Sequence, residues 1–199
     1  MPKISLEELK KDKEIHANLI GQSVTFKTTW GLFCPEEIDS GTKLLLASLE
    51  KVPSPLLNRG VLDIGCGYGP IGISLAKAHP EAGVDMIDKD FVAIEYSEKN
   101  IEANKVPNAH AFLSNGFSHV PQAKTYGLIV SNLPAKVSKE FFWILFGEAL
   151  DHMDSGSQIV VVVIKQLETM IKKNFKTLFN NSEVLDRDDT YSVIAATKN

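Results

Sequence analysis

A short apolar strand that runs into three closely spaced glycines is the feature of this sequence that most restricts its fold. The stretch reads VLDIGCGYGPIG from Val61 to Gly72. Four residues that suit a buried strand precede a loop with glycine at every second position, and then comes Pro70, a residue favoured at the start of a helix. Glycine lets a ligand approach the backbone closely, because no Cβ intervenes. The stretch therefore predicts a strand–loop–helix unit with a ligand site in the loop.

Strand and helix patterns alternate regularly after residue 60. The predicted strands are 61–64, 84–87, 109–113, 128–131, 158–164 and 191–197, and the predicted helices are 70–79, 91–104, 138–151 and 167–179. This alternation indicates an α/β fold with a largely parallel sheet. Ligands of such sheets bind outside the carboxyl ends of the strands, and the polar candidates described below all fall at such ends.

The N-terminal part of the chain is less regular. Residues 3–20 carry many charges, and we interpret them as a short helix with a solvated face, whereas residues 23–28 alternate in the manner of a strand. A loop from about residue 31 then leads into a leucine-rich helix. At 199 residues the chain has the size of one domain. We therefore expect a single domain over residues 1–199, of which 1–30 form an N-terminal helix and strand extension.

Composition and cysteine usage exclude several classes of protein. No apolar run approaches the roughly 18 residues of a membrane span, and the charged N-terminus lacks the apolar stretch of a signal peptide. Cys34 and Cys66 stand far apart and have no histidine nearby, so we expect no disulfide, no metal site and a cytoplasmic location. The net charge of −4 argues against a protein that coats RNA, although it permits a local RNA-binding patch.

The residues around the glycine loop discriminate between ligands. The dinucleotide pattern GxGxxG would need glycine at position 70, which is Pro70, and the chain has no GK[ST] phosphate loop. Asp63 stands two residues before Gly65, where a carboxylate would repel a pyrophosphate and attract a cation. These features favour S-adenosylmethionine, which carries an α-ammonium and a sulfonium but no phosphate, over NAD. The alternative is an ordinary tight turn between a strand and a helix.

Polar residues also follow the second and third strands of this region. Asp88 ends the second strand, about 20 residues after the loop, where a carboxylate can accept hydrogen bonds from both ribose hydroxyls. Asn115 follows the third strand, where its amide can bond the edge of an adenine. Asp88 can instead be a solvated loop residue, and Asn115 can belong to an Asn-Gly turn with Gly116.

Five stretches of the chain together resemble the class I S-adenosylmethionine-dependent methyltransferases, in particular the methyltransferase small domain group, which includes guanine-N2 methyltransferases of small-subunit ribosomal RNA. These stretches are 32–42 (LFCPEEIDSGT), 61–76 (VLDIGCGYGPIGISLA), 86–90 (MIDKD), 113–117 (LSNGF) and 131–134 (SNLP). The resemblance implies a Rossmann-like three-layer sandwich with a seven-stranded, mostly parallel sheet, whose last strand, near 191–197, is antiparallel. Residues 31–199 would then form the cofactor-binding catalytic core.

The resemblance also assigns roles to the matched positions. The residues that it places along the cofactor are Asp63, Gly65, Cys66 and Gly67 at the methionine part, Asp88 at the ribose and Asn115 at the adenine. Residues 38–42 match a family loop that lies over the cofactor near the substrate mouth, which makes Thr42 a further cofactor-binding candidate. For Asp39 and Thr42 the alternative is a capping role at the start of a helix.

The fourth strand of amino-methylating family members ends in Asn-Pro-Pro-aromatic, and the corresponding residues here are Asn132-Leu133-Pro134-Ala135. In such a loop the Asn oxygen and the next carbonyl accept the N–H bonds of a planar amine and align it with the methyl donor. The aromatic residue stacks on a base that has left its helix. The resemblance makes Asn132, Leu133 and Pro134 the catalytic candidates, but the first proline and the ring are missing. Trp30 and Phe33 are candidates for covering a substrate instead.

The favoured interpretation is an N-methyltransferase that acts on an exocyclic amine of an RNA base. Guanine N2 of ribosomal RNA is the favoured acceptor. Its partner would be ribosomal RNA or a ribosomal subunit, with no membrane and no metal involved. One alternative acceptor is a protein glutamine or a small molecule, since a planar carboxamide would use the same loop. A catalytically impaired module that binds cofactor or RNA is a further alternative, which the departures at Leu133 and Ala135 permit. No oligomeric state is predicted.

Overall fold

A computed structural model describes residues 11–199, and a seven-stranded sheet forms its centre. The strands of the described part are β1 (Lys13–Leu19), β2 (Gln22–Thr28), β3 (Val61–Ile64), β4 (Val84–Asp88), β5 (Ala109–Leu113), β6 (Tyr126–Asn132), β7 (Met153–Ile164), β8 (Glu183–Arg187) and β9 (Tyr191–Thr197). The large sheet has the order β5-β4-β3-β6-β7-β9-β8. Its first five strands are parallel, and β9 is inserted antiparallel between β7 and β8. The predicted fold class is therefore confirmed.

Helices cover both faces of this sheet. They are α1 (Ser40–Leu49), α2 (Ser54–Leu57), α3 (Pro70–Ala78), α4 (Phe91–Asn104), α5 (Lys139–Asp151) and α6 (Glu168–Phe179). Along β3, Val61 belongs to the core beneath α1, α3 and α4, whereas Leu62 belongs to the core beneath α5 and α6. This alternation is the two-residue period of a strand with both faces buried. Within residues 11–199, none of the helices is long and apolar enough to cross a membrane.

Most predicted elements of the core agree with the structure. The bounds of 61–64, 91–104, 109–113 and 191–197 are the same, and the other predicted strands and helices differ by one to five residues at an end. The sequence did not predict α2 or β8. The strand β8, which reads EVLDR, is only half-buried, so it lacks a clear apolar pattern.

The prediction of a helix over residues 3–20 was wrong for 13–19, which form β1, and its first part lies outside the described residues. Ile15 and Leu19 are buried and the residues between them are more exposed, which is a strand period that the many charges obscured. Ile20 and Gly21 form the two-residue turn to β2, both with positive φ (45° and 73°). Such a turn matches the twist of a hairpin.

Two side-chain amides attach the β1–β2 hairpin to α4. Asn100 accepts a hydrogen bond from the Lys27 N–H (2.7 Å) and donates to the Lys27 carbonyl (2.9 Å). Asn104 makes the same pair of bonds with Thr25 (3.0 and 2.6 Å). The two asparagines thus satisfy an edge of β2 as a neighbouring strand would, and they fix the hairpin beside the first helix layer.

Candidate active site

The glycine loop between β3 and α3 is held in left-handed backbone geometry. Gly65, Gly67 and Gly69 have φ values of 71°, 57° and 97°. The N–H groups of Gly65 and Cys66 both donate to the Ile87 carbonyl, at 2.8 and 3.0 Å, and so tie the loop to the end of β4. A Cβ added to Gly65 or Gly67 would meet no atom within 4 Å. The loop backbone therefore borders open space that a ligand can occupy.

Asp88 ends β4 directly beside this loop. Its Oδ2 accepts a hydrogen bond from the Gly67 N–H (2.9 Å), and its Oδ1 accepts one from the Asp90 N–H (3.0 Å). The side chain is half-buried. Because a carboxylate has about four lone-pair sites, each oxygen can accept a further hydrogen bond from a ligand hydroxyl.

Asp63 is completely buried beneath the loop. Its Oδ2 accepts a hydrogen bond from the Gly72 N–H (2.9 Å) in the first turn of α3, whose N-cap Gly69 has no side chain to offer. Its Oδ1 has no partner among the described residues. Burial raises the pKa of Asp63 from 3.8 to about 7, the Gly72 bond opposes this rise, and the charge of Asp88 adds to it. Asp63 thus caps a helix, and its enclosed carboxyl group becomes mainly negative only above about pH 7.

Cys66 contributes its backbone to the loop and not its thiol. The side chain is buried in the core, with Sγ 3.6 Å from the Ser97 hydroxyl. Burial raises the pKa of this thiol well above its ordinary value, and the charge of Asp63 raises it further. A thiol with a raised pKa is a poor nucleophile, so Cys66 has a structural role here.

Asn115 lies beyond β5 on the same edge of the sheet as Asp88. The register pairs Asp88 with Leu113, two residues before Asn115. The backbone N–H of Asn115 donates to the Ser118 hydroxyl (3.2 Å), and Gly116 has a positive φ of 57°. The Asn-Gly turn therefore exists, and it leaves the Asn115 side chain exposed.

Asn132, at the end of β6, belongs to a hydrogen-bonded cluster that three distant parts of the chain build. Its Nδ2 donates to Asp39 Oδ2 (2.8 Å) and to the Thr42 hydroxyl (3.0 Å). Asp39 is also the N-cap of α1, because the same Oδ2 accepts the Thr42 N–H (3.1 Å). The Tyr191 hydroxyl donates to the other oxygen, Oδ1, at 3.1 Å. The capping alternative for Asp39 is therefore correct, and the cap is at the same time part of the site.

This cluster determines how the Asn132 amide is oriented. A carboxylate accepts hydrogen bonds and donates none, so the NH₂ group of Asn132 must face Asp39. The side-chain oxygen faces away and has no hydrogen-bond partner among residues 11–199. Asn132 therefore presents an acceptor, and not a donor, to a molecule that enters from the carboxyl edge.

The residues after Asn132 differ from the Asn-Pro-Pro pattern in a way that the structure explains. The Leu133 N–H, which a proline would lack, donates to the Val162 carbonyl (3.0 Å), and the Leu133 side chain is buried. These two contacts restrain the backbone where the first proline is missing. Pro134 and Ala135 are exposed and provide no ring.

Two tyrosines that no sequence motif indicates also organise this edge. Besides Tyr191, the buried Tyr68 of the glycine loop donates to the carbonyls of Cys34 and Glu37, both at 3.3 Å, and so anchors the segment 29–39. That segment carries Trp30 and Phe33 with 69% and 63% of their surface exposed. No local pattern could have revealed these bonds, since they join residues at least 31 positions apart.

Comparison with known proteins identifies the family. A family model described as methyltransferase small domain matches residues 23–195. The chain belongs to the methyltransferase small domain family. The match includes the glycine loop, the Asn132 loop and the first five residues of β9, with Tyr191 among them, so every part of the site described above lies within the methyltransferase small domain.

Relatives of known sequence share much of this methyltransferase small domain. An uncharacterised protein of Bacillus subtilis, YbxB, is 33% identical over 182 residues, which are 90% of this chain and 89% of that protein. The ribosomal RNA small subunit methyltransferase C of Vibrio parahaemolyticus is 33% identical over 181 residues, 89% of this chain but 50% of that enzyme. This chain thus spans about half the length of the curated methyltransferase that it matches.

A solved structure has the same fold. The 16S ribosomal RNA guanine-N2 methyltransferase of Thermus thermophilus, in complex with AdoMet and guanosine, aligns with a TM-score of 0.79 and 23% identity. The alignment covers 94% of this chain and 51% of that one. The likeness shows that the methyltransferase small domain of this chain adopts the fold of that enzyme over nearly its whole length.

Proposed function

We propose that this chain is an S-adenosylmethionine-dependent N-methyltransferase that acts on an exocyclic amine of an RNA base, with guanine N2 of ribosomal RNA as the preferred acceptor. The observation that carries the proposal is the orientation of Asn132, whose amide oxygen faces outward because its NH₂ group is bound to Asp39 and Thr42. An outward acceptor suits a substrate that presents N–H bonds.

The residues at the sheet edge fit the cofactor. The glycine loop offers backbone beside open space at Gly65 and Gly67, and Asp88 has lone pairs left for ribose hydroxyls. The Asn115 amide is exposed where an adenine edge would lie. Asp63 would act on the cofactor through its charge, since its carboxylate is enclosed beneath the loop. When bound, S-adenosylmethionine supplies a methyl group on a positively charged sulfur.

The contribution of this chain to catalysis is to orient the acceptor. The lone pair of an exocyclic amine is delocalised into its ring, so the nitrogen reacts only when it is held in the correct direction. Asn132 Oδ1 would accept one N–H bond, and the Leu133 carbonyl the other. As the nitrogen gains the methyl group it releases one proton to water. Orientation of this kind provides a large part of the acceleration in two-substrate reactions.

Several observations support RNA as the substrate class. The Vibrio relative carries the name of a ribosomal RNA methyltransferase, and the Thermus structure contains guanosine. Trp30 and Phe33 are exposed aromatic residues that can stack on a base that has left its helix. The proposal includes a cytoplasmic location.

Transfer of radiolabelled methyl groups to ribosomal RNA tests the proposal. RNA from cells that lack the gene should become labelled, and digestion followed by mass spectrometry should identify N2-methylguanosine. We expect Asn132→Ala to reduce turnover about 100-fold, because the amine loses its orienting acceptor. The matched control is Asn58→Ala, an exposed asparagine before β3 at the opposite end of the sheet, which should retain full turnover. Full turnover by Asn132→Ala would refute the role of this residue.

A carboxamide acceptor is the second candidate, because the missing ring at Ala135 and the net charge of −4 suit a substrate without a base. A protein glutamine presents the same planar N–H pair to Asn132. The two candidates separate when the labelled extract is divided into RNA and protein. Label in protein alone would replace RNA by protein as the substrate, whereas the absence of label from both fractions would contradict methyl transfer.

A further inference from the structure

Asp39 receives hydrogen bonds from three donors that belong to three separate parts of the chain. One is the Thr42 N–H at the start of α1, the second is the Asn132 amide at the end of β6, and the third is the Tyr191 hydroxyl at the start of β9. Capping of α1 requires only the first bond. The other two connect the carboxylate to Asn132 and to Tyr191, which lies 152 residues away in the sequence.

The bond from Asn132 makes one orientation of its amide much more favourable than the other. If the amide turned by 180°, its oxygen would face the Asp39 carboxylate, which can only accept, and its NH₂ group would face the substrate. The Thr42 hydroxyl can both donate and accept, so it permits either orientation, and the preference comes from Asp39. The carboxylate has no proton with which to adapt, so the turned state would lose a charge-assisted hydrogen bond and gain a repulsive contact. Tyr191 holds the carboxylate in place from its other oxygen.

The backbone of α1 leaves just enough room for this arrangement. A Cβ added to Gly41 would lie 2.9 Å from Asp39 Oδ2 and 2.9 Å from two ring carbons of Tyr191. Contacts this short do not occur for real Cβ atoms, so a side chain at position 41 would displace one partner or the other. The glycine at this buried position is therefore explained by the approach of Asp39 to Tyr191.

We propose that Asp39 and Tyr191 are positioning residues that lock the Asn132 amide with its oxygen toward the acceptor, and that this lock restricts the enzyme to acceptors that present an N–H. The inference rests on the proposed methyltransferase activity and adds the origin of its acceptor selectivity. Neither residue needs to touch the substrate. Both act through the direction in which the Asn132 oxygen points.

Substitutions at position 39 separate capping from positioning. Asp39→Ser retains a good N-cap for α1 but is too short to hold Asn132, so we expect a melting temperature close to that of the wild type and turnover reduced about 10- to 100-fold. Asp39→Asn retains an oxygen toward Thr42 and Asn132 and should recover most of the turnover. The dissociation constant of S-adenosylhomocysteine, measured by calorimetry, should change less than twofold in both. Asp189→Ser, an exposed aspartate near β9, is the matched control and should behave as the wild type.

Two further variants alter the same cluster without a change at Asp39 itself. Tyr191→Phe removes the donor to Oδ1, and Gly41→Ala forces the carboxylate and the ring apart without the loss of any polar group. Both should lower kcat with little change in the dissociation constant of S-adenosylhomocysteine. Wild-type kcat in Asp39→Ser and Gly41→Ala would overturn the proposal. A tenfold weaker cofactor affinity with normal kcat at saturation would overturn it too, because Asp39 would then be a cofactor ligand.

A spectroscopic measurement tests the lock without any activity. The two side-chain N–H resonances of Asn132, assigned by their loss in Asn132→Ala, should exchange slowly with solvent in the wild type and rapidly in Asp39→Ser. Equal exchange in the two proteins would show that the amide is not bound to Asp39, and this would refute the lock even if the enzyme is active. If the exchange differs but no RNA or protein is ever methylated, the lock stands and the proposed function fails.

Discussion

The buried carboxylate of Asp63 combines two interactions that conflict. One oxygen accepts a hydrogen bond in the first turn of α3, which the partial positive charge of a helix N-terminus favours. The other has no partner among the described residues, and no water reaches the group. Such a group is costly in its charged form, which is why burial raises the pKa of Asp63 to about 7. A cationic ligand above the glycine loop would compensate for this cost.

The raised pKa of Asp63 predicts how stability depends on pH. Between about pH 4 and pH 7 the folded protein keeps a proton on Asp63 that the unfolded chain has released. The free energy of unfolding should therefore fall as the pH rises through this window, by up to about 1.4 kcal/mol per pH unit from this group. Asp63→Asn should remove this component, which urea titrations of both proteins at a series of pH values would measure. If the free energy of unfolding depended on pH equally in the wild type and in Asp63→Asn, the prediction would be contradicted. The control is Asp189→Asn, at an exposed position, which should keep the pH dependence of the wild type.

Phe33 carries a second prediction at the scale of single residues. Its side chain is 63% exposed, although the carbonyls of the next two residues are restrained, that of Cys34 by Tyr68 and that of Pro35 by Thr28. An exposed ring on a restrained loop suggests a contact with the substrate. Phe33→Ala should raise KM for RNA about tenfold with an unchanged melting temperature, because stacking on a base contributes about 1–3 kcal/mol. Phe33→Tyr, which keeps the ring, should restore KM, and an equal loss in both variants would argue against stacking.

At the scale of elements, the β1–β2 hairpin is a separate ribbon that is built into the main core. Its strands make no ladder with the large sheet, yet Val24 and Phe26 are buried in the core that α1, α3 and α4 share. The Phe26 ring meets Tyr68 edge to face, with centroids 5.7 Å apart. Tyr68 in turn anchors the segment 29–39, so the hairpin supports the glycine loop and this segment together.

Asn100 connects α4 to β2 and to the glycine loop, so its substitution tests how the hairpin is attached. It makes three hydrogen bonds, two with Lys27 and one to the Tyr68 carbonyl (2.9 Å). Asn100→Ala should lower the free energy of unfolding by about 3 kcal/mol, because buried backbone groups lose their partners. Hydrogen exchange at the Lys27 amide should become fast, which a general loss of stability would not confine to β2. The surface variant Asn58→Ala should change neither quantity, and slow exchange at Lys27 in Asn100→Ala would contradict the docking role.

For the whole molecule, local patterns predicted the sheet well and the site in part. β3 and β9 have apolar runs with clear ends, and their bounds follow from the sequence alone. The bounds of β1 were not predicted, because the charged run 11–14 precedes Ile15 and only His16, Ala17 and Asn18 separate Ile15 from Leu19, so the period of two was weak. Asp88 was a candidate because of its place at the end of a strand, and Asn132 because of the family resemblance. The direction of the Asn132 amide depends on Asp39 and Tyr191. Contacts between residues so far apart in sequence leave no local pattern.

The distribution of charge over the molecule predicts a moderate salt dependence of RNA binding. Lys136, Lys139 and Lys165 are exposed at the carboxyl edge, and none belongs to an ion pair within residues 11–199. If each contacts one phosphate, log K should fall against log salt with a slope of about −2 on single-stranded RNA. Lys136→Gln should make this slope shallower by about 0.7, whereas Lys176→Gln, in the last turn of α6 at the far end of the sheet, should leave it unchanged. Equal slopes in all three proteins would exclude this contact.

The inserted strand β9 has a consequence for how the protein is made. Tyr191 and Asp39 are 152 positions apart in the sequence. During synthesis the ribosome therefore completes the glycine loop and Asn132 well before Tyr191 exists to hold the Asp39 carboxylate that orients the Asn132 amide. Closing a loop of this length costs conformational entropy before the contact forms, so folds rich in such contacts fold slowly. A nascent polypeptide on the ribosome, even one with its cofactor loop already folded, should therefore remain without methyl-transfer activity until its last strand has been released from the exit tunnel.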